Sequence, residues 1–190
     1  VFPDAKRVLI HTYEARDPAS PQQWVAAALS QFGHIDVVVN SAGVCKMITL
    51  EEGDDDLLEE TLDINVKAPF RLLRAAFPAL KVSGQGRVIN LSSMSGKRVR
   101  NLNVGYQMSK HAVIALNHAV RRAGWEFGIR ATAVCPRYVA TDMAASLTST
   151  PADTMTSAED LALLIANTIE MPNTASVAEL LVNCAYENVI

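Results

Sequence analysis

The chain has 190 residues, 49% hydrophobic and 19% charged, which suits one globular domain with a sizeable core. A net charge of −3 from 17 basic and 20 acidic residues, without a long run of either sign, argues against nucleic acid or a membrane surface as partner. No apolar run approaches the roughly 20 residues that span a bilayer. The three cysteines, Cys45, Cys135 and Cys184, are widely spaced with no CxxC pair and predict buried, reduced thiols in a cytoplasmic setting.

In chain order, RVLIHTYEA (7–15) is predicted as a strand because it is rich in β-branched residues. SPQQWVAAALSQFG follows as a helix, with Ser20 as N-cap, Pro21 in its first turn and Gly33 as its stop. IDVVVN (35–40) is a second strand, and residues 54–80 form a long helical region bent at Pro69. The pattern continues with strand RVINLS (87–92), a helix over 104–127 and strand IRATAVC (129–135). A Thr-rich stretch (144–157) reads as a loop, and TSAEDLALLIANTI as a helix with Thr156 and Glu159 at capping-box spacing. AELLVN (178–183) is the last strand. Such alternation predicts an α/β domain over 1–190, a parallel sheet with helices on both faces.

Ligands of such sheets bind beyond the carboxyl ends of the strands, which focuses attention on the residues there. After IDVVVN come Asn40, Ser41, Ala42 and Gly43, small enough for a flat ring or sugar to approach the backbone. After RVINL come Ser92, Ser93 and Gly96, and after the next strand come Pro136, Arg137, Val139, Thr141 and Asp142. Each taken singly is an ordinary loop; together they point to a site.

Tyr106 and Lys110 sit one helical turn apart, on a stripe that continues through Val113, Asn117 and Val120. Lys110 therefore shares the apolar sector, away from His111, His118 and Arg122. An ammonium beside a phenol lowers the phenol's pKa, making it a general acid or base for an alcohol. The plainer alternative is a lysine snorkelling over a core tyrosine.

With Asn65 in INVKAPF, Ser93 in INLSSMSG, Tyr106 and Lys110 in YQMSK, and VATDM at 139–143, the chain resembles the short-chain dehydrogenase/reductase family. Ser93 precedes Tyr106 by 13 residues, as that family's pattern asks, and the likeness runs from Glu14 to the end. The resemblance implies a Rossmann-like, doubly wound, three-layer α/β/α fold and hydride transfer between NAD or NADP and a carbonyl or secondary alcohol. It implies a catalytic tetrad of Asn65, Ser93, Tyr106 and Lys110, in which Asn65 holds a water that connects Lys110 to solvent. It further implies cofactor contacts from Glu14, Asn40, Ala42, Gly43, Tyr106, Lys110, Pro136, Val139 and Thr141, no metal, and a homodimer or homotetramer. The alternatives are a ligand- or partner-binding domain of the same fold without turnover, and an epimerase or dehydratase of the related extended group.

Departures from the family pattern are specific. Arg137 stands where the family has glycine; it can crowd the nicotinamide side, turn outward, which is the favoured option, or read an anionic substrate. Lys97, Arg98 and Arg100 either attract an anionic substrate or form a solvated loop. No GxxxGxG turn occurs. In the family's strand order 3-2-1-4-5-6, with a seventh strand at the edge, RVLIHTYEA corresponds to strand 3 and IDVVVN to strand 4. Strands 1 and 2 are then missing, and about 40–50 further N-terminal residues that include the glycine-rich turn are expected.

Overall fold

A computed structural model describes residues 7–187. Its helices are α1 (Ser20–Phe32), α2 (Asp55–Leu62), α3 (Ala68–Ser83), α4 (Val104–Gly124), α5 (Asp142–Leu147) and α6 (Ala158–Glu170). Its strands are β1 (Val37–Asn40), β2 (Arg87–Leu91), β3 (Arg130–Pro136) and β4 (Glu179–Val182), all parallel and in the spatial order β1-β2-β3-β4.

Period-2 alternation along the strands builds the three layers. Val88 and Ala131 join Leu72, Leu73, Ala76 and Leu80 of α3 and Val120 of α4 in one buried cluster. Ile89, one residue after Val88, and Val134, three after Ala131, point to the other face and pack against Leu161, Ile165 and Ile169 of α6. Helices therefore cover both faces, and β2 and β3 are buried along nearly their whole length.

Segment 7–15 forms no strand. A strand exists only with a hydrogen-bonded neighbour, and this segment pairs with none: Ile10 is 92% exposed, and the Glu14 N–H donates to Ser20 Oγ at 2.9 Å. Leu9 lies instead with Trp24, Val25 and Val38 along an apolar cleft of about 540 Å³ beside β1. Among the described residues the outer edge of β1 carries no ladder, and Val37 and Val39 are 38% and 42% exposed.

Helix ends differ from expectation by one residue where other contacts compete. Ser20 lies inside α1, with Ala19 as N-cap, because its hydroxyl accepts the Glu14 N–H. Gly33 ends the helix at φ 78° and donates its N–H to the Leu29 carbonyl. Ser157, not Thr156, caps α6 and accepts the Asp160 N–H at 2.9 Å. The Thr156 backbone is held in a bridge with Val139, which leaves the next hydroxyl to cap. Part of the expected 144–157 loop is helical, since α5 begins at a Thr141 cap and runs to Leu147.

The break in the long 54–80 region is a single π-helical turn, Asp63–Lys67, between α2 and α3. Pro69 has no N–H to give the Asn65 carbonyl four residues back, which favours a wider turn just before it.

A chain of asparagine amides, half-buried at Asn40 and buried at Asn90 and Asn117, ties the layers together. Asn40 Nδ2 donates to Asn90 Oδ1 at 2.8 Å, Asn90 Nδ2 to Asn117 Oδ1 at 3.1 Å, and Asn117 Nδ2 to the Ala178 carbonyl at 3.0 Å. Asn117→Ala strands the buried Asn90 Nδ2 donor, while the Ala178 carbonyl keeps the Ala133 N–H at 3.0 Å. We expect a stability loss of about 2–3 kcal/mol, read from urea unfolding; a change below about 0.5 kcal/mol would mean the chain is not a structural tie.

Candidate active site

The carboxyl ends of β1, β2 and β3 open onto a cavity of about 410 Å³, a size suited to a small molecule. Ser93 and Tyr106 line it, with Cys45, Pro136, Val139 and Thr141. Ser93 follows β2; its hydroxyl donates to the Pro136 carbonyl at 3.4 Å and accepts the Ser95 N–H at 3.1 Å. Tyr106 enters from the first turn of α4. The cap of that helix, Asn103, accepts the Ile48 and Tyr106 N–H groups, each at 3.3 Å, and donates to the Lys46 carbonyl at 2.8 Å. One buried side chain thereby sets the start of α4 against the loop after β1.

The stripe on α4 is buried as its spacing predicts: Lys110, Val113, Asn117 and Val120 are buried, while His111, His118 and Arg122 face outward. Lys110 is only 6% exposed and donates to the Leu91 carbonyl at 2.8 Å. An ammonium has three donors. Part of its capacity faces Gly43, where a Cβ would lie 3.6 Å from Nζ and 3.2 Å from Asn65 Oδ1. Gly43 is small because two polar side chains share the space beside it.

Asn65, within the π turn, binds the loop after β1 from both sides of its amide. Oδ1 accepts the Val44 N–H at 2.8 Å, and Nδ2 donates to the Val44 carbonyl at 2.9 Å and to Ser109 Oγ at 3.0 Å. Both amide donors are spent on protein, and one Oδ1 lone pair is left over.

The electrostatics differ from the sequence expectation. Burial pushes the Tyr106 phenol up to about 12, with the Cys45 thiol adding to the rise and the Ser93 hydroxyl opposing it. Burial brings the Lys110 ammonium down to about 8. Burial outweighs any lowering by Lys110, whose Nζ is turned to the Leu91 carbonyl and lies 5.5 Å from the tyrosine ring centre. At neutral pH the phenol holds its proton.

The remaining candidates are spread more widely. Asn40 is engaged with Asn90, Ala42 is exposed, and Thr141 caps α5 at the edge of the cavity. Glu14 is exposed, accepts the Arg16 N–H at 3.0 Å, and does not line the cavity. Arg137 also lines the cavity, but its Nη1 reaches the Tyr186 carbonyl at 3.3 Å. Lys97 pairs with Glu179 at 2.5 Å rather than with solvent. Sequence reasoning missed Asn103, Ser109, Cys45 and Glu187. An Asn just before a long periodic run signals a cap and could have marked Asn103.

Gly96 is where the Ser93 loop meets α4. A Cβ there would lie 2.6 Å from the Lys110 carbonyl oxygen and 2.7 Å from Ser92 Oγ, which donates to that same carbonyl. Gly96→Ala must push the loop off the helix, and we expect a loss of about 1–3 kcal/mol, seen as a lowered Tm. An unchanged Tm would show that the contact gives way without cost.

A parallel sheet with helices on both faces and a cavity at the carboxyl ends of its strands defines the Rossmann-like class. The chain matches the short chain dehydrogenase family over residues 3–152 and belongs to it. It is 38% identical over 178 residues to an agropine synthesis reductase of Rhizobium rhizogenes, covering 93% of this chain and 41% of that protein. It is 33% identical over 135 residues to the oxidoreductase UcpA of Escherichia coli K12, covering 70% of this chain and 51% of that protein. The chain thus spans about half the length, or less, of these curated relatives. In fold it is similar to the alcohol dehydrogenase of the archaeon Thermococcus sibiricus complexed with 5-hydroxy-NADP, with a TM-score of 0.83 and 24% identity over 94% of this chain and 75% of that one. It is likewise similar to ElxO with NADP bound, with a TM-score of 0.86 and 20% identity over 95% of this chain and 79% of that one.

Proposed function

We propose that this chain carries the catalytic part of an NAD- or NADP-dependent oxidoreductase acting on a carbonyl compound or secondary alcohol, with Tyr106 as the general acid. The observation that carries this reading is the meeting of Ser93 and Tyr106 on one cavity wall, with the buried Lys110 ammonium and Asn65 behind it beside Gly43. A lysine buried with one protein partner is costly and asks for a ligand to use its remaining donors.

The residues present fit the nicotinamide half of the cofactor. Lys110 would bond the ribose hydroxyls, Asn40, Ala42 and Gly43 would pass the adenosine side, and Pro136, Val139 and Thr141 would border the nicotinamide. Glu14 would reach the adenine edge only if its exposed carboxylate turns from Arg16. The glycine-rich turn that cradles a diphosphate at a helix N-terminus does not occur in these 190 residues.

When bound, the cofactor supplies or takes up the hydride. In reduction, the Ser93 hydroxyl holds the carbonyl oxygen, and the Tyr106 phenol donates its proton to that oxygen as negative charge develops there. A phenol near 12 is protonated at neutral pH and is a stronger acid than the alcohol formed when it protonates the developing alkoxide, so this state suits reduction. The spare Oδ1 lone pair of Asn65 can accept from a water that returns the proton by way of Lys110.

The test is nicotinamide absorbance during incubation of the protein with NADH or NADPH and a panel of aldehydes and ketones. Turnover lost on Tyr106→Phe supports the reading. Ligand binding without turnover by any panel member would favour a binding domain of the same fold. We also propose a homodimer or homotetramer, supported by Phe70 of α3 and Met108 of α4, which are 48% and 49% exposed; light scattering checks it.

A further inference from the structure

The cavity that holds Tyr106 and Ser93 has a basic rim. Arg98 and Arg100, from the loop after β2, and Arg137, just past β3, all line it. They converge on the end of the described chain. Arg98 Nη2 donates to Glu187 Oε2 at 2.6 Å, and Arg100 Nη1 donates to both carboxylate oxygens at 3.1 Å. Arg137 Nη1 reaches the adjoining Tyr186 carbonyl at 3.3 Å, and its charge also acts on the Glu187 carboxyl.

The Glu187 side chain is 2% exposed, although Tyr186 beside it is 89% exposed. The carboxylate is thus drawn into the rim from an otherwise outward segment. One carboxylate does not balance three guanidinium groups, each permanently charged. Arg98 Nε is moreover buried with no partner, so the rim keeps donor capacity that Glu187 leaves unused. Lys97 is not part of this set, since Glu179 takes its charge.

We propose that Arg98, Arg100 and Arg137 form a carboxylate receptor for the substrate, and that Glu187 is its internal occupant, displaced when an oxo acid or hydroxy acid enters. The proposal rests on the oxidoreductase reading and narrows its substrate class to carbonyl compounds and alcohols that carry a carboxylate. A carboxylate is the anion favoured because that is the group Arg98 and Arg100 already hold, with Arg137 beside them on the Tyr186 carbonyl. Charge-assisted hydrogen bonds to it orient the far end of the molecule, leaving the carbonyl to face Tyr106 and Ser93 in the same cavity.

The experiment uses the full chain, levulinate and methyl levulinate, with binding measured by isothermal titration without cofactor. The acid is expected to bind about tenfold more tightly than the ester. The acid-to-ester ratio is expected to rise about threefold or more in Glu187→Ala and to fall about threefold or more in Arg100→Gln. Equal binding of acid and ester overturns the proposal, and so does a ratio that Glu187→Ala leaves unaltered, which would make Glu187 a structural tie. These readings need no turnover. A ratio that follows Glu187, with no turnover of any carbonyl compound, would uphold the receptor and sink the oxidoreductase reading; turnover of neutral ketones with no acid preference would do the reverse.

Discussion

Tyr106→Phe is expected to lower the turnover of a carbonyl substrate by about 10²–10⁴-fold while leaving the fold almost unchanged. The phenol is the group on the cavity wall that burial keeps protonated, with its pKa up to about 12, and phenylalanine keeps the ring and its packing but removes the proton. Because the loss belongs to the transition state, kcat should fall with little change in KM. Turnover within about tenfold of wild type would move the acid role elsewhere, with Ser93 the next hydroxyl on that wall. The acid itself persists from neutral pH upward until the phenol ionises, so a fall in rate that begins near pH 8 would belong to the loss of the Lys110 proton and not to Tyr106.

Lys110→Met is expected to part activity from stability. Lysine titrates at 10.5 when unperturbed and near 8 here, because burial disfavours the ammonium. Between those values the unfolded chain binds more protons than the folded one, so wild-type stability rises with pH through about 8–10.5, and the whole penalty is present below about 8. That penalty is about 3 kcal/mol, offset in the variant by about 1–2 kcal/mol for the Leu91 carbonyl left without its donor. At pH 7 the variant should therefore unfold at higher urea than wild type, and its advantage should vanish as pH climbs past about 10. Turnover should nonetheless drop by about 10²–10³-fold, with weaker nicotinamide binding. A variant less stable than wild type at pH 7 would show that the buried ammonium is a net structural support, and the case for a ligand-binding lysine would lose its energetic basis.

The stripe of Tyr106, Lys110, Val113 and Asn117 was legible because helical periodicity is local: residues four apart share a face whatever lies beyond. The same holds for the glycine end of α1 and for the buried runs of β2 and β3. The direction of the Tyr106 pKa was not legible. Spacing places Lys110 one turn away but says nothing about the Leu91 carbonyl, which lies on another element and takes the ammonium. Arg98, Arg100 and Arg137 were visible as charges, yet their carboxylate lies 87–89 residues from the first two in sequence.

Segment 7–15 shows the same division. Its β-branched composition is that of a strand, but a strand is a relation between two segments, and the described residues hold no neighbour for it. By itself the sequence determined the alternation of elements, the membership of the short chain dehydrogenase family and the positions of Asn65, Ser93, Tyr106 and Lys110, all of which follow from short-range patterns. Only the tertiary structure decided which polar atoms those side chains spend on the protein, how far burial moves Tyr106 and Lys110 in opposite directions, and that Glu187 lies among three arginines at the cavity rim. Those outcomes depend on desolvation and on partners brought from distant parts of the chain, which no local pattern records.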